Sequence, residues 1–480
     1  MPTTRRNIAR LAAGCLAAAA AFAAYHFYLR DLMLDTGLEL GAVRPGRTVY
    51  RIVPLYIYWR PRLKTGVLIA SAVLATFVWW LRWSLAEQGS SSRLPFADRY
   101  RFVVVLWLAH IAVAVSVALI DGGPATLWQP FDVHRRSDYI GAVERITSPR
   151  SFLRDYPGLM PELPLHCRHH PPGGPLLLWL VAQIAGPGPL AASLATIVLA
   201  GLATPAVYLL ARDVLDEAPA RLAAALFLLA PNVVCYSATC LDAVFMVPLV
   251  WTFYFLWHGR ANRPLLWGFA GGLTAFTAAM MTFSTSFVAL WAIVVLGFTA
   301  LGDRNRLKNT SLTLLAAMVA VVLAYGLLSA WSGYEPLAVL RQAFAGQDEV
   351  MKGRRGHHSL LQSAHFVVTN LVAFLFCSGL PLAWLWVGQM RREFRRTTAS
   401  HARWLLLSFG LTLLLVDLAP LYTLETERIW IFLVGFLALG SAACLASDPT
   451  PLHASPLVLA ALLLEVFQTI LMEVLFEWVW

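Results

Sequence analysis

The chain has 480 residues, 59% of them hydrophobic and only 13% charged, whereas a soluble globular protein is about half apolar and a quarter charged. Its mean hydropathy is +0.64, and apolar runs of ~20 residues, each long enough to cross a bilayer core as a helix, recur along it, which excludes a string of soluble domains. The net charge of +10 does not indicate nucleic acid, because Lys and Arg gather between the apolar runs, as the positive-inside rule requires.

A β-barrel would alternate over segments of ~10 residues; continuous runs such as 310–331 and 456–475 predict helices instead. In chain order the spans are expected at 7–28, 64–84, 101–121, 190–211, 219–236, 242–258, 264–282, 284–301, 310–331, 364–388, 403–420, 428–447 and 456–475. At the first, Arg5, Arg6 and Arg10 precede an Ala-rich run from Leu11 to Tyr28, so a signal peptide is the rival reading, and Ala12-Ala13-Gly14-Cys15 hints at a lipoprotein site. Almost no apolar stretch precedes Cys15 and many spans follow, so the run is read as an uncleaved first helix. After it, Val49–Trp59 is apolar and aromatic with Arg at both ends, which predicts an interfacial helix with snorkelling arginines. The expected fold is all-α: a polytopic transmembrane helical protein of about 13 spans, one membrane-embedded domain over 1–480 with no internal repeat.

Three basic loops orient the set: Arg260 and Arg263; Arg304, Arg306 and Lys308; and Arg391, Arg392, Arg395, Arg396 and Arg403. With these cytoplasmic, alternation puts 122–189, 237–241, 332–363 and 421–427 outside. The basic segment 29–63 runs against that rule. The six cysteines form no CxxC and no zinc pattern. Most lie in apolar runs and are expected to pack as small hydrophobes; Cys167, in a loop, has Cys235 or Cys240 as a minor disulfide alternative.

The outer loop 122–189 carries the most chemistry. It reads Phe131-Asp132-Val133-His134-Arg135-Arg136-Ser137-Asp138-Tyr139, continues through Asp155-Tyr156-Pro157, and reaches His166-Cys167-Arg168-His169-His170-Pro171-Pro172-Gly173-Gly174-Pro175. The apolar stretch Leu176 to Ile184 that follows is too short to span and is expected to lie along the interface as a helix, with prolines bounding it. A connection this long is usually functional or disordered, and its aromatic and Pro content speaks against disorder. Acids, arginines and histidines beside a membrane are the groups that deprotonate an acceptor and hold a phosphate. His134, His166, His169 and His170 lack the helical spacing of a zinc site, so hydrogen bonding within the loop is preferred to a metal role. A divalent cation held by carboxylates and a substrate phosphate stays open.

Three other outer features are candidates. Asp242 opens a span, where a plain helix-dipole role is the alternative. Lys352, Arg354, Arg355, His357 and His358 form a basic cluster outside, suited to a phosphate or an anionic headgroup, or simply solvated. Glu425-Thr426-Glu427-Arg428-Ile429-Trp430 opens a late span, where Arg428 either snorkels or binds a phosphate.

The order of these features resembles the membrane-embedded glycosyltransferases of the GT-C superfamily, in particular the bacterial set related to protein O-mannosyltransferases and aminoarabinose transferases. Those enzymes have a first large external loop with an acid followed by Tyr, then a His-Pro-Pro or Lys-Pro-Pro element before an interface helix. Asp138-Tyr139 and His170-Pro171-Pro172-Gly173 stand in that order, Asp242-Ala243 resembles an Asp opening a later span, and Glu425 to Trp430 resembles a late Glu-x-x-Arg with aromatics. The likeness runs from about residue 100 onward. It departs at Ser137, where the family often has a second acid, and in having two spans before the loop-bearing one, which leaves residues 1–100 unmapped. With no large soluble domain after the last span, an oligosaccharyltransferase-like enzyme is not expected.

The resemblance implies a polyprenyl-phosphate-sugar-dependent glycosyltransferase of the bacterial cytoplasmic membrane, acting on its outer face on a lipid, glycan or protein acceptor. Asp138 would be the base, with Asp132 as fallback and Asp242 as a second catalytic acid. Tyr139, His170, Arg354, Arg355, Glu425 and Arg428 would bind donor phosphate or substrate, with a cation countering charge on the leaving phosphate. A lipid donor accounts for the missing dinucleotide fingerprint. The rival is a transporter or a lipid-linked glycan flippase or polymerase. A transporter would place ionisable groups near the midplane and often show repeats.

Overall fold

The computed structural model describes residues 2–35, 41–44, 47–55, 57–87, 96–133, 138–302, 304–354, 360–396, 401–419 and 425–478. Among them, seven helices are long and apolar enough to cross a membrane: Thr4–Tyr28, Gly66–Ala86, Tyr100–Ala118, Pro189–Arg212, Thr285–Gly302, Arg304–Ser332 and Pro456–Leu475, or up to nine spans if two bent helix pairs each count as one. These seven coincide with seven of the expected apolar runs. The chain is a helical, polytopic membrane protein.

It divides into two compact units. One comprises Met1–Gly123, Gly201–Ala238 and His358–Trp480; the other comprises Pro124–Ala200 and Thr239–His357. In the second unit, helices Pro264–Ala279 and Arg304–Ser332 pack closely through Gly268 and Gly272. A Cβ at either glycine would run into the carbonyl of Thr313 or Ala317. This is a Gly-x-x-x-Gly stripe, which membrane helices use because small residues let backbones approach. The loop between the third and fourth expected spans belongs to this unit, and its apolar stretch is a 13-residue helix, Gly173–Ala185, bounded by Pro171-Pro172 and by Gly186 at φ 85°.

Four expectations are corrected in the first unit. Val49–Trp59 is not a helix: Arg47–Arg51 and Ile57–Trp59 are strands. With Gly41–Arg44 and Phe476–Trp478 they form a four-stranded antiparallel sheet. Val, Tyr, Ile and Trp favour strands and Pro54 breaks a helical reading. The last strand pairs Ile57 with Trp478 and Tyr58 with Glu477, a partner more than 400 positions away in the chain and invisible to local pattern. The span expected at 364–388 is two helices, Ala364–Cys377 and Leu380–Arg395, bent by 115°. Gly379, at φ 110°, takes a backbone conformation open to glycine, and Pro381 follows at the start of the second helix, where its missing N–H costs nothing. The run at 219–236 is likewise broken, by 56°, between Glu217–Leu229 and Pro231–Ser237. The segment 428–447 begins as the short helix Thr426–Ile429 and a 3-10 turn Ile431–Leu433 before Val434–Ala446. All six cysteines are free.

Candidate active site

In the second unit the loop folds around Tyr139, which is 3% exposed. Its ring centroid lies 5.7 Å from His166, 5.8 Å from His170 and 5.5 Å from Phe245, the last two edge-to-face, a favoured aromatic geometry. Gly173 and Gly174 explain why two glycines follow His170-Pro171-Pro172. The Gly173 N–H donates to the Met280 carbonyl at 2.7 Å, and a Cβ there would collide with that carbonyl. A Cβ on Gly174 would sit 2.8 Å from the Tyr139 ring. The motif is thus a seat for Tyr139 with no room for a side chain on either side.

Asp138 immediately precedes that ring and is 1% exposed. It caps the 3-10 helix Tyr139–Arg145: its Oδ1 accepts from the Tyr139 N–H at 2.7 Å. His166 Nδ1 is 3.5 Å from the same oxygen. The other oxygen, Oδ2, is buried with no hydrogen-bond partner among the described residues. Tyr156, fully buried on helix Pro149–Leu159, ties the far end of the loop: its hydroxyl is 2.9 Å from the carbonyls of both Cys167 and His170 and shares its proton between them. Burial raises the Tyr156 phenol well above its ordinary value, with Cys167 and Tyr334 adding to it. Burial also raises the Cys167 thiol, and the negative charge of Asp138 adds to the shift.

Asp242 opens helix Asp242–Gly259 and is partly buried. Phe245, three positions on and so on the same face, packs on Tyr139 and lies 6.2 Å from His170. The unit therefore gathers Asp138, Tyr139, His166, His170 and the first turn of the Asp242 helix. Asp132 is exposed on the short helix Gln129–Val133, away from the burial that distinguishes Asp138. Asp155 is exposed and paired with Arg154 at 2.9 Å, which holds its carboxyl below the usual range through that hydrogen bond. Arg354 ends helix Pro336–Arg354, but its side chain, like Lys352's, and the whole of Arg355, His357 and His358 lie outside the described residues. The same holds for His134, Arg135, Arg136 and Ser137.

The first unit holds the late motif. Glu425, at φ 68°, starts the short helix Thr426–Ile429, and its carboxylate pairs with the Arg428 guanidinium. Arg428 is 8% exposed and Glu427 fully buried. The turn is held from two sides: Asn232 Nδ2 donates to the Glu427 carbonyl at 3.0 Å, and the Thr426 hydroxyl donates to the Asn370 carbonyl at 2.9 Å. Trp430 packs edge-on to Phe374 at 5.7 Å. Asn232 and Asn370 were not singled out from sequence. The available signal was an amide inside an apolar run, beside a proline in the case of Asn232.

Chemically, a carboxylate with one oxygen fixed and the other unoccupied is arranged to accept a proton. An arginine oriented by a neighbouring acid is arranged to meet a phosphate with two donors. No group of three or more His, Cys, Asp or Glu residues is placed to hold a metal ion among the described residues.

Comparison with known proteins adds to this geometry. Residues 169–329 match the family described as dolichyl-phosphate-mannose-protein mannosyltransferase. That stretch contains His170, Gly173, Gly174 and Asp242, and neither Asp138 nor Arg428. No curated protein matches the chain by sequence. Among solved structures, the oligosaccharyltransferase of Archaeoglobus fulgidus in its apo form matches with a TM-score of 0.53 at 14% identity, covering 80% of this chain and 57% of that one. Its complex with Zn and sulfate gives 0.52 at 17%, covering 78% and 53%. Its complex with an inhibitory peptide and a dolichol-phosphate gives 0.50 at 13%, covering 79% and 56%. The chain thus spans a little over half the length of that protein. At such identity, what the chain shares with that oligosaccharyltransferase is its fold.

Proposed function

We propose that this protein transfers a sugar from a polyprenyl-phosphate-linked donor to a lipid, glycan or protein acceptor at the extracytoplasmic face of a bacterial cytoplasmic membrane. The observation that carries the reading is Asp138: a buried carboxylate anchored through Oδ1 to the Tyr139 N–H, with Oδ2 unpartnered among the described residues. In this reading Oδ2 takes the acceptor's proton, the acceptor attacks the anomeric carbon, and the sugar–phosphate bond breaks. Tyr139 and His170 line the acceptor's approach, with Asp242 beside them on the first turn of its helix. Arg428, paired with Glu425, is read as the donor-phosphate ligand of the first unit, because a guanidinium offers a phosphate two parallel donors. Asp138 Oδ2 would give a cation one ligand, and the described residues gather no set of three around it. No step is routed through a metal. The fold and the dolichyl-phosphate-mannose family match over 169–329 support the donor class.

A transporter or flippase has one observation in its favour: Glu465 is fully buried midway along the apolar helix Pro456–Leu475. The test is one set of membrane vesicles carrying the protein, given labelled polyprenyl-phosphate sugar. Label appearing covalently on acceptor supports the transferase. Label moving across the bilayer unchanged, with none on acceptor, overturns it.

A further inference from the structure

We infer that Asn232 is a positioning residue for Arg428, and that it can act as one because a polar stripe on the last long helix fixes the two helix breaks around it. The inference rests on the reading of Arg428 as the donor-phosphate ligand, and it concerns the first unit alone.

Helix Pro456–Leu475 is apolar but for one stripe: Glu465, Gln468 and Thr469 fall at i, i+3 and i+4, with Glu473 one turn beyond Thr469, and so lie side by side. Breaking a helix inside a membrane frees backbone groups that no water can meet, and each costs several kcal/mol if left alone. The stripe meets them. The Thr469 hydroxyl donates to the carbonyl of Leu229, the last residue before the first break, at 2.7 Å. Gln468 serves both sides of the second break: its Nε2 donates to the Phe376 carbonyl at 2.8 Å, and its Oε1 accepts from the Leu380 N–H at 2.7 Å. The Glu465 carboxyl fills the space beside Gly379, where any Cβ would overlap it.

Asn232 stands just past the first break, in helix Pro231–Ser237, with no exposure. Its amide nitrogen is 3.5 Å from the hydroxyl of Ser378, which sits at the second break, and 3.0 Å from the Glu427 carbonyl. One amide therefore joins both breaks to the peptide unit that leads into Arg428. Its Oδ1 is buried without a hydrogen-bond partner among the described residues. Such a group destabilises the fold, so packing alone would favour a Leu at this place. The bond goes to main chain and not to the guanidinium, so what it sets is where the Arg428 backbone stands.

The test is direct binding of undecaprenyl phosphate to the purified full-length protein in nanodiscs, for Asn232→Ala, Arg428→Ala and the double variant. Asn232→Ala is expected to weaken binding about tenfold with little change in melting temperature, and the double variant to bind no worse than Arg428→Ala, since coupled groups are not additive. If Asn232→Ala does not fold, Asn232→Leu replaces it: the volume is kept and the donor is lost. Thr426→Val, which releases the other side of the turn, should weaken binding in the same direction. Full affinity in Asn232→Ala or Asn232→Leu while Arg428→Ala loses it overturns the positioning role, as do losses that simply multiply in the double variant. Full affinity in Arg428→Ala overturns the phosphate reading of Arg428 and this inference with it.

Discussion

Replacing Asp138 by Asn separates base from scaffold, because the structure says what each half of the carboxylate does. Asn keeps an acceptor at Oδ1, so the 2.7 Å bond from the Tyr139 N–H that caps the 3-10 helix is retained. Its amide nitrogen takes the place of Oδ2, which is buried without a described partner. A buried N–H pair with no acceptor costs about 1–3 kcal/mol, and the interaction with His166 at 3.5 Å weakens as the charge goes. The variant should therefore fold with a lowered melting temperature. Activity should fall much further, because an amide cannot accept the proton, and losing a general base typically costs ~10²–10⁴-fold. The assay is transfer of labelled sugar by purified protein in detergent, with expression and thermal unfolding measured on the same preparations. Asp132→Asn is the internal control: Asp132 is exposed, and its loss is expected to leave rate and stability near those of the parent. A folded, fully active Asp138→Asn refutes the assignment. A dead Asp132→Asn beside an active Asp138→Asn moves the base to Asp132.

Arg428→Lys keeps the charge but offers a point cation in place of two parallel donors, so transfer should fall at least tenfold, and turnover with donor affinity near normal would leave Arg428 as a simple snorkelling residue. Gly174→Ala should displace the Tyr139 ring, which a Cβ would approach to 2.8 Å, and lower kcat more than stability; unchanged kinetics would mean the ring's seat does not matter to the reaction. Topology is checked by Glu162→Cys, an exposed loop position, in a background whose native cysteines are replaced: an impermeant maleimide should label it in intact cells, and labelling only after lysis would reverse the orientation and the mechanism together.

The sequence disclosed the parts of this fold that depend on composition. An apolar run such as 456–475 has few fates besides a membrane helix, and seven runs of this kind are helices of spanning length and apolarity among the described residues. What depends on distant partners stayed hidden. Val49–Trp59 reads as amphipathic whether it is helix or strand, and the strand Phe476–Trp478 that pairs with Ile57–Trp59 lies at the far end of the chain. The breaks were written more openly, as Ala230-Pro231 and Gly379-Leu380-Pro381, but proline in a membrane helix signals either a tolerated kink or an interruption. Only the groups that meet the freed backbone, Thr469 and Gln468 among them, decide which. Gly268-x-x-x-Gly272 was legible and was missed, because glycines in an apolar run do not interrupt its hydropathy.

The site divides along the same line. Asp138, Tyr139 and His170 were found because their order along the chain carries the signal, and the loop does bring the three together around one buried ring. His166 stood in the same run of residues, but nothing in sequence says that a histidine 28 positions downstream lies at 3.5 Å from the Asp138 carboxylate. Asn232 was further out of reach, since its meaning is a single hydrogen bond to the backbone of Glu427, 195 positions away. Polar side chains inside a bilayer are costly. Here Asn232, Gln468 and Thr469 are placed where helices are broken, and the breaks frame the turn that carries Arg428. The turn that carries Arg428 can be this short because side chains elsewhere in the chain meet the backbone groups that the breaks around it expose.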